Sequence, residues 1–101
     1  MFANRLEIGG RVVESSGLRH TPAGLPSVQL KLAHVSQQRE AGREREVSCE
    51  VEALAFGETA TALARVASGS LLNLTGFVER RALRSPQLTL HITGYELIKE
   101  S

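Results

Sequence analysis

The sequence has no aspartate, no tryptophan, and only one cysteine and one tyrosine. The missing aspartate excludes a Ser–His–Asp catalytic set. One thiol, Cys49, excludes an intrachain disulfide and a cysteine-based metal cluster. Cys49 shares the apolar phase of a strand-like run, which reads as a small buried hydrophobe. No stretch of about 18 apolar residues occurs, so no membrane-spanning helix is expected. Met1 to Glu7 lacks the apolar segment of a secretory leader, and the expected location is the cytoplasm. His20, His34 and His91 show no metal-ligand spacing and read as surface or rim positions. Gly57-Glu58-Thr59 lacks the lysine and further glycines of a phosphate-binding loop. The expectation is a protein that is not an enzyme and needs no cofactor or metal.

What the sequence does contain is clustered arginine. Of its 12 basic residues all but Lys31 and Lys99 are arginine, and its 11 acids are all glutamate. The net charge of +1 announces no polyanionic ligand. The distribution is more telling: Arg39, Arg43 and Arg45 share one short segment, and Arg80, Arg81 and Arg84 another. Arginine's planar fork suits phosphate and stacks on bases. The second segment contains no acid. It lies between two alternating apolar runs, Leu72-Leu74-Gly76-Val78 and Leu88-Leu90-Ile92, the pattern of a β-hairpin with a basic tip.

A chain of 101 residues is expected to form one domain, residues 1–101, with a modest core. Asn4 to Ser15 alternates Leu6, Ile8, Gly10 and Val12 against polar partners and reads as a first strand. Its Gly9-Gly10 pair marks a bulge or the close approach of another backbone. Thr21-Pro22-Ala23-Gly24 fits a tight turn. Leu25 to Ser36 reads as a second strand with Val28, Leu30 and Leu32 inward. Gln37 to Glu46 is polar and charged and reads as a long mobile loop. Val47 to Phe56 reads as a third strand that breaks phase at Leu54. Gly57 to Ser68 is alanine-rich, with Ala60, Leu63, Ala64 and Ala67 at helical spacing, and is the one expected helix. The two runs around the basic tip are the fourth and fifth strands. The fifth continues through Tyr95 to Ile98 before a three-residue tail, with Phe77 and Tyr95 in the same outward phase.

The order β-β-β-α-β-β predicts an all-β fold, a five-stranded OB-fold barrel with one short helix between strands three and four. In that fold, ligands lie across strands two and three, between the one–two and four–five connections. The first connection holds Arg19 and the second holds Arg80, Arg81 and Arg84. Lys31 points outward from strand two, and the following loop adds Arg39, Arg43 and Arg45. These eight residues are the candidate DNA contacts. Phe2, Phe56, Phe77 and Tyr95 are the only aromatics, so phosphate contacts are expected to outweigh base stacking.

Several segments, taken in order, resemble the family of primosomal replication protein N (PriB), relatives of the bacterial single-stranded DNA-binding protein. They are Asn4-Arg5-Leu6 with Gly10, Pro22-Ala23-Gly24-Leu25-Pro26, Leu32-Ala33-His34, Glu40-Ala41-Gly42, Cys49, Gly76-Phe77, Leu90-His91 and Glu96-Leu97-Ile98. The chain carries no long tail with an acidic tip, which is expected of this family rather than of the general single-strand binder. The resemblance implies a cytoplasmic OB-fold homodimer that binds single-stranded DNA during replication restart, without catalysis or cofactor. It implies the PriA helicase, DnaT and the single-stranded DNA-binding protein as partners, and no membrane. Ser48 stands where some relatives have tryptophan, Arg43 where they have another aromatic, and Val35 where they have a base. The resemblance therefore implies less stacking than in those relatives. The alternative reading is an OB-fold protein-interaction module in which DNA binding is weak or incidental, consistent with the near-neutral charge and few aromatics.

Overall fold

A computed structural model describes residues 1–99, so the last two residues of the expected tail lie outside the described part. Each alternating run forms a strand. They are β1 (Leu6–Ser15), β2 (Arg19–His20), β3 (Pro26–Glu40), β4 (Arg43–Phe56), β5 (Leu71–Arg80) and β6 (Leu88–Ile98). A six-residue helix, α1 (Glu58–Leu63), lies between β4 and β5. The five long strands are those expected. β2 is an addition, two residues that pair with Ser27 and Pro26 and close the first connection.

The strands close on themselves. β1 pairs with β5 through its first half and with β3 through its second half. β5 pairs with β6 and β3 with β4, both antiparallel, and β4 meets β6 in a short parallel contact at Ala53↔Leu90 and Leu54↔His91. The ring β1-β5-β6-β4-β3, with the helix between β4 and β5, fits the expected OB-fold plan. To serve two neighbours β1 must bend, and its register shifts between Val12 and Glu14. Gly9 and Gly10 are not that bulge. They provide the close approach: a β-carbon at Gly10 would run into the carbonyl of Ala33.

Period-two alternation puts Val12, Val28, Leu30, Leu32, Leu72, Leu74, Leu90 and Ile92 inside the ring. Burying each of the larger side chains contributes about 1.5–3 kcal/mol. α1 closes one end with Ala60 and Leu63, and the alanines at 53 and 55 on β4 complete the core there. The helix is shorter than the alanine pattern suggested. After Leu63 the chain tightens into i→i−3 bonds, Arg65 N–H to Ala62 O (3.2 Å) and Val66 N–H to Leu63 O (3.0 Å). Gly69 N–H then donates to Val12 O at 2.7 Å and turns the chain toward β5.

Four local expectations are corrected. Gln37 to Glu46 is no loop. β3 and β4 pair without a break from Ser27↔Phe56 to Glu40↔Arg43 and form a projecting arm. Ala41 (φ 53°) and Gly42 (φ 77°) close it, the two positive φ values that a two-residue hairpin turn needs. The polar composition concealed this because the arm has no apolar phase, and two of its arginines meet carboxylates across the strands instead, Arg39 with Glu44 and Arg45 with Glu40. Second, β4 keeps its phase through Leu54: Ala53 and Ala55 point inward, while Leu54 and Phe56 share the outward side. Third, Cys49 is exposed, because it pairs with His34 at the root of the arm, where the inward phase has run past the core. Fourth, the β5–β6 register shifts beside Gly76, so Tyr95 faces the buried Leu74 while Phe77 faces His91. One extra residue on β6 moves Tyr95 to the opposite side of the sheet from Phe77.

Candidate nucleic-acid interface

The outward phase of β3 and β4 presents Gln29 and Lys31 beside Glu50, Glu52 and Leu54. β2 and its turn bound this face on one side. The turn is held by Gly24 N–H to Thr21 O (2.8 Å) and Thr21 N–H to Leu25 O (2.9 Å). The β5–β6 tip bounds the other side and is closed by Arg81 N–H to Gln87 O (2.8 Å) and Ser85 N–H to Ala82 O (3.0 Å).

Three grooves meet on this face. One, of about 260 Å³, runs from Arg19 past Gln29 and Lys31 to Glu52. A second, of about 540 Å³, joins Lys31 and Glu52 to Arg81 and the apolar rim at Leu6, Val51 and Val78. A third, of about 500 Å³, passes from Gln29 and Leu54 under the tip, along Arg80 and Arg81, to His91. The fold thus brings Arg19, Lys31, Arg80 and Arg81 around one surface. Arg84 stands at the exposed tip, and Arg39, Arg43 and Arg45 stand on the arm, outside the three grooves.

The eight candidates divide evenly by partner. Four face a carboxylate: Lys31 with Glu14 (3.7 Å), Arg39 with Glu44 (4.0 Å), Arg45 with Glu40 (3.4 Å) and Arg81 with Glu52 (3.7 Å). The other four, Arg19, Arg43, Arg80 and Arg84, are exposed and have no ion-pair partner among the described residues. Spacing along the sequence showed none of these pairings. Strand register places Glu14 opposite Lys31, Arg39 opposite Glu44 and, on the other side of the arm, Arg45 diagonal to Glu40, while the tip brings Arg81 to Glu52.

An aromatic cluster adjoins the tip. Phe77 and His91 stack with ring centroids 5.0 Å apart and planes 11° from parallel. Phe56 leans on the same imidazole at 6.2 Å and 34°. Both phenylalanines keep about two-fifths of their surface exposed, Phe56 40% and Phe77 38%. They line a groove of about 340 Å³ that shares Leu54 and His91 with the groove under Arg80 and Arg81. His91 Nε2 also lies 3.5 Å from Glu79. The available sequence signal was the hairpin register, which pairs Phe77 with His91 once Arg80 is set against Leu88. His34 ties β3 to β1, with Nδ1 2.6 Å from Gly9 O and Nε2 2.8 Å from Ser36 Oγ. Among the described residues no group of three or more His, Cys or Glu is placed to hold a metal ion, and no helix is long and apolar enough to cross a membrane.

Known proteins resemble this chain in sequence and in fold. Residues 4–94 match the sequence model of a family described as another single-strand binding protein family. Replication restart protein PriB of Nitrosomonas europaea is 40% identical over 95 residues, covering 94% of this chain and 88% of that protein. The chain belongs to the PriB family of single-strand binding proteins. PriB of Bordetella pertussis is 39% identical over 88% of this chain and 83% of its own. Among solved PriB structures, that from Ralstonia solanacearum superposes with a TM-score of 0.85 at 38% identity, over 95% of this chain and 98% of that one. The single-stranded DNA binding protein of Thermus aquaticus shares the fold, with a TM-score of 0.78 at 22% identity over 96% of this chain and 50% of that one.

Proposed function

We propose that this chain is a non-enzymatic single-stranded-DNA-binding accessory protein of replication restart that links the strand to the PriA helicase. The observation that carries the reading is the match to PriB across 94% of the chain. The arrangement of cations around one barrel face supports it. A single strand lies across β3 and β4, its phosphates on Arg19 at one rim and on Arg80, Arg81 and Arg84 at the other. Lys31 serves the middle of the face, and Arg39, Arg43 and Arg45 extend the track along the arm. Bases leaving the tip reach the exposed faces of Phe56 and Phe77. The working form is a cytoplasmic homodimer, with DnaT and the single-stranded DNA-binding protein as further partners.

The test is fluorescence anisotropy with a labelled oligothymidine across a salt series. If Arg80, Arg81 and Arg84 each neutralise one phosphate, their combined change to Ala flattens the log K against log salt slope by about 1.4 to 2, at roughly 0.7 for each unpaired arginine and up to that for Arg81, which Glu52 partly offsets. Unchanged binding by the triple variant refutes the tip as a contact.

One observation favours a second reading. Half of the candidate cations already face a carboxylate, which suits a surface that meets proteins rather than phosphates. Capture of the helicase by protein that does not bind oligonucleotide at physiological salt supports that reading.

A further inference from the structure

A row of four charges of alternating sign crosses the barrel face. It begins with Glu14 on β1, whose carboxylate lies 3.7 Å from Lys31 on β3. Lys31 is the register partner of Glu52 on β4. Glu52 Oε2 lies 3.7 Å from Arg81 Nη1, at the base of the β5–β6 tip. The same Nη1 donates to Gln87 Oε1 at 3.2 Å. The guanidinium is therefore held over the face by Glu52 of β4 and by Gln87 of its own connection, at the point where the second and third grooves meet. It is also already occupied. Phosphate arriving at Arg81 meets a carboxylate that presents the same kind of oxygen to the same fork.

We infer that Glu52 sets the affinity of this face for single strands by competing with phosphate for the Arg81 guanidinium. This rests on the reading of the chain as a single-strand binder. In the free protein the Glu52–Arg81 pair fixes the tip against β4. On binding, phosphate takes the guanidinium and Glu52 turns to solvent, where it gathers a counter-cation. The pair is partly exposed, with 52% of the Arg81 side chain and 36% of the Glu52 side chain accessible. Competition from such a pair lowers affinity by a modest factor, roughly two- to five-fold. Salt screens the pair as well as the phosphate contact, so the penalty fades as ionic strength rises. Glu52 is a positioning residue: it acts on the strand only through Arg81.

The experiment is a double-mutant cycle on the whole chain, read by anisotropy with labelled oligothymidine at several salt concentrations. Glu52→Gln keeps the shape of the side chain and removes its charge. The expected result is two- to five-fold tighter binding at low salt, a gain that shrinks at high salt, and a salt slope steeper by up to about 0.7. The gain vanishes when Arg81→Ala is also present. Glu96→Gln, on β6 away from the three grooves, makes the same change in net charge and leaves binding unaltered. If Glu52→Gln binds no more tightly than the parent while Arg81→Ala binds more weakly, the inference is overturned and the single-strand reading stands. A gain that persists without Arg81 also overturns it, by showing a bulk charge effect. If Arg81→Ala binds like the parent, Arg81 is no contact and the competition does not exist. If the parent protein fails to bind the oligonucleotide, the functional reading falls and the inference falls with it.

Discussion

The side chain of Asn4 completes the β1–β5 ladder by acting as a strand residue. Its Nδ2 donates to Val78 O at 2.8 Å, and its Oδ1 accepts from Val78 N–H at 2.9 Å. The backbone register ends two residues earlier, at Leu6↔Gly76. Asn4→Ala loses both bonds at an exposed site, for a cost of about 1 kcal/mol. Asn4→Asp keeps only the acceptor and sets a carboxylate beside the Val78 carbonyl, and it loses at least as much. Urea unfolding reads both as a lower midpoint at unchanged m-value.

Gly10 and Gly94 respond oppositely to one added methyl. At Gly10 the methyl meets the Ala33 carbonyl and the Leu32 side chain. Gly10→Ala forces β1 away from β3 and destabilises by about 1–3 kcal/mol. At Gly94 nothing lies within 4 Å. Gly94→Ala is neutral or slightly stabilising, because it narrows only the unfolded chain. Denaturant midpoints of the two variants check the contrast.

The division of cations into paired and unpaired predicts unequal salt slopes. Arg19→Ala and Arg84→Ala each flatten the slope for oligothymidine by about 0.7. Arg39→Ala and Arg45→Ala change it less, since Glu44 and Glu40 already offset those charges. Equal slopes for all four variants would sink the distinction.

Phe56 offers an open ring face next to the tip groove. Phe56→Ala weakens oligothymidine binding by about 1 kcal/mol, near five-fold, from lost base stacking. Thermal unfolding shifts little, because the ring points outward and keeps 40% of its surface exposed. A large fall in melting temperature with unchanged affinity would assign Phe56 to packing alone.

Ala41 is the only described non-glycine residue with positive φ, at 53°. That backbone disfavours an L side chain unless it is asparagine or glycine. Ala41→Asn converts the arm's turn into Asn-Gly and stabilises it by roughly 0.5 kcal/mol. Slower amide exchange along Gln38–Arg45 is the measurement.

Where hydrophobic alternation carried information, the fold was legible in the sequence. Val28, Leu30 and Leu32, the inward phase of the second expected strand, are buried. The arm was not legible, because its strands have no apolar phase to alternate and polar residues without periodicity read as loop. What holds its two strands together is cross-strand pairing, a relation between residues on opposite sides of a turn. The candidate site was legible to the same depth. Arg19, Lys31, Arg80 and Arg81 were placed on one face by strand order alone. Their carboxylate partners do not follow from strand order: Glu14 meets Lys31 through the β1–β3 register, and Glu52 meets Arg81 through the way the tip lies against β4. The Phe77–His91 stack also depends on register, and a single residue of bulge separates Tyr95 from it.

The double pairing of β1 has a consequence for the order in which the protein is made. β1 leaves the ribosome before the other strands, yet six of its ten ladder pairs are with β5, and the bond from Asn4 reaches 74 residues ahead. At roughly 5–20 residues per second, β1 waits several seconds for that partner. The β3–β4 arm, whose partners are neighbours in sequence, is complete long before. Ring closure is the last and least local step, and it places folding of the chain at the slow end of the range for small domains, where non-local strand pairing sets the rate.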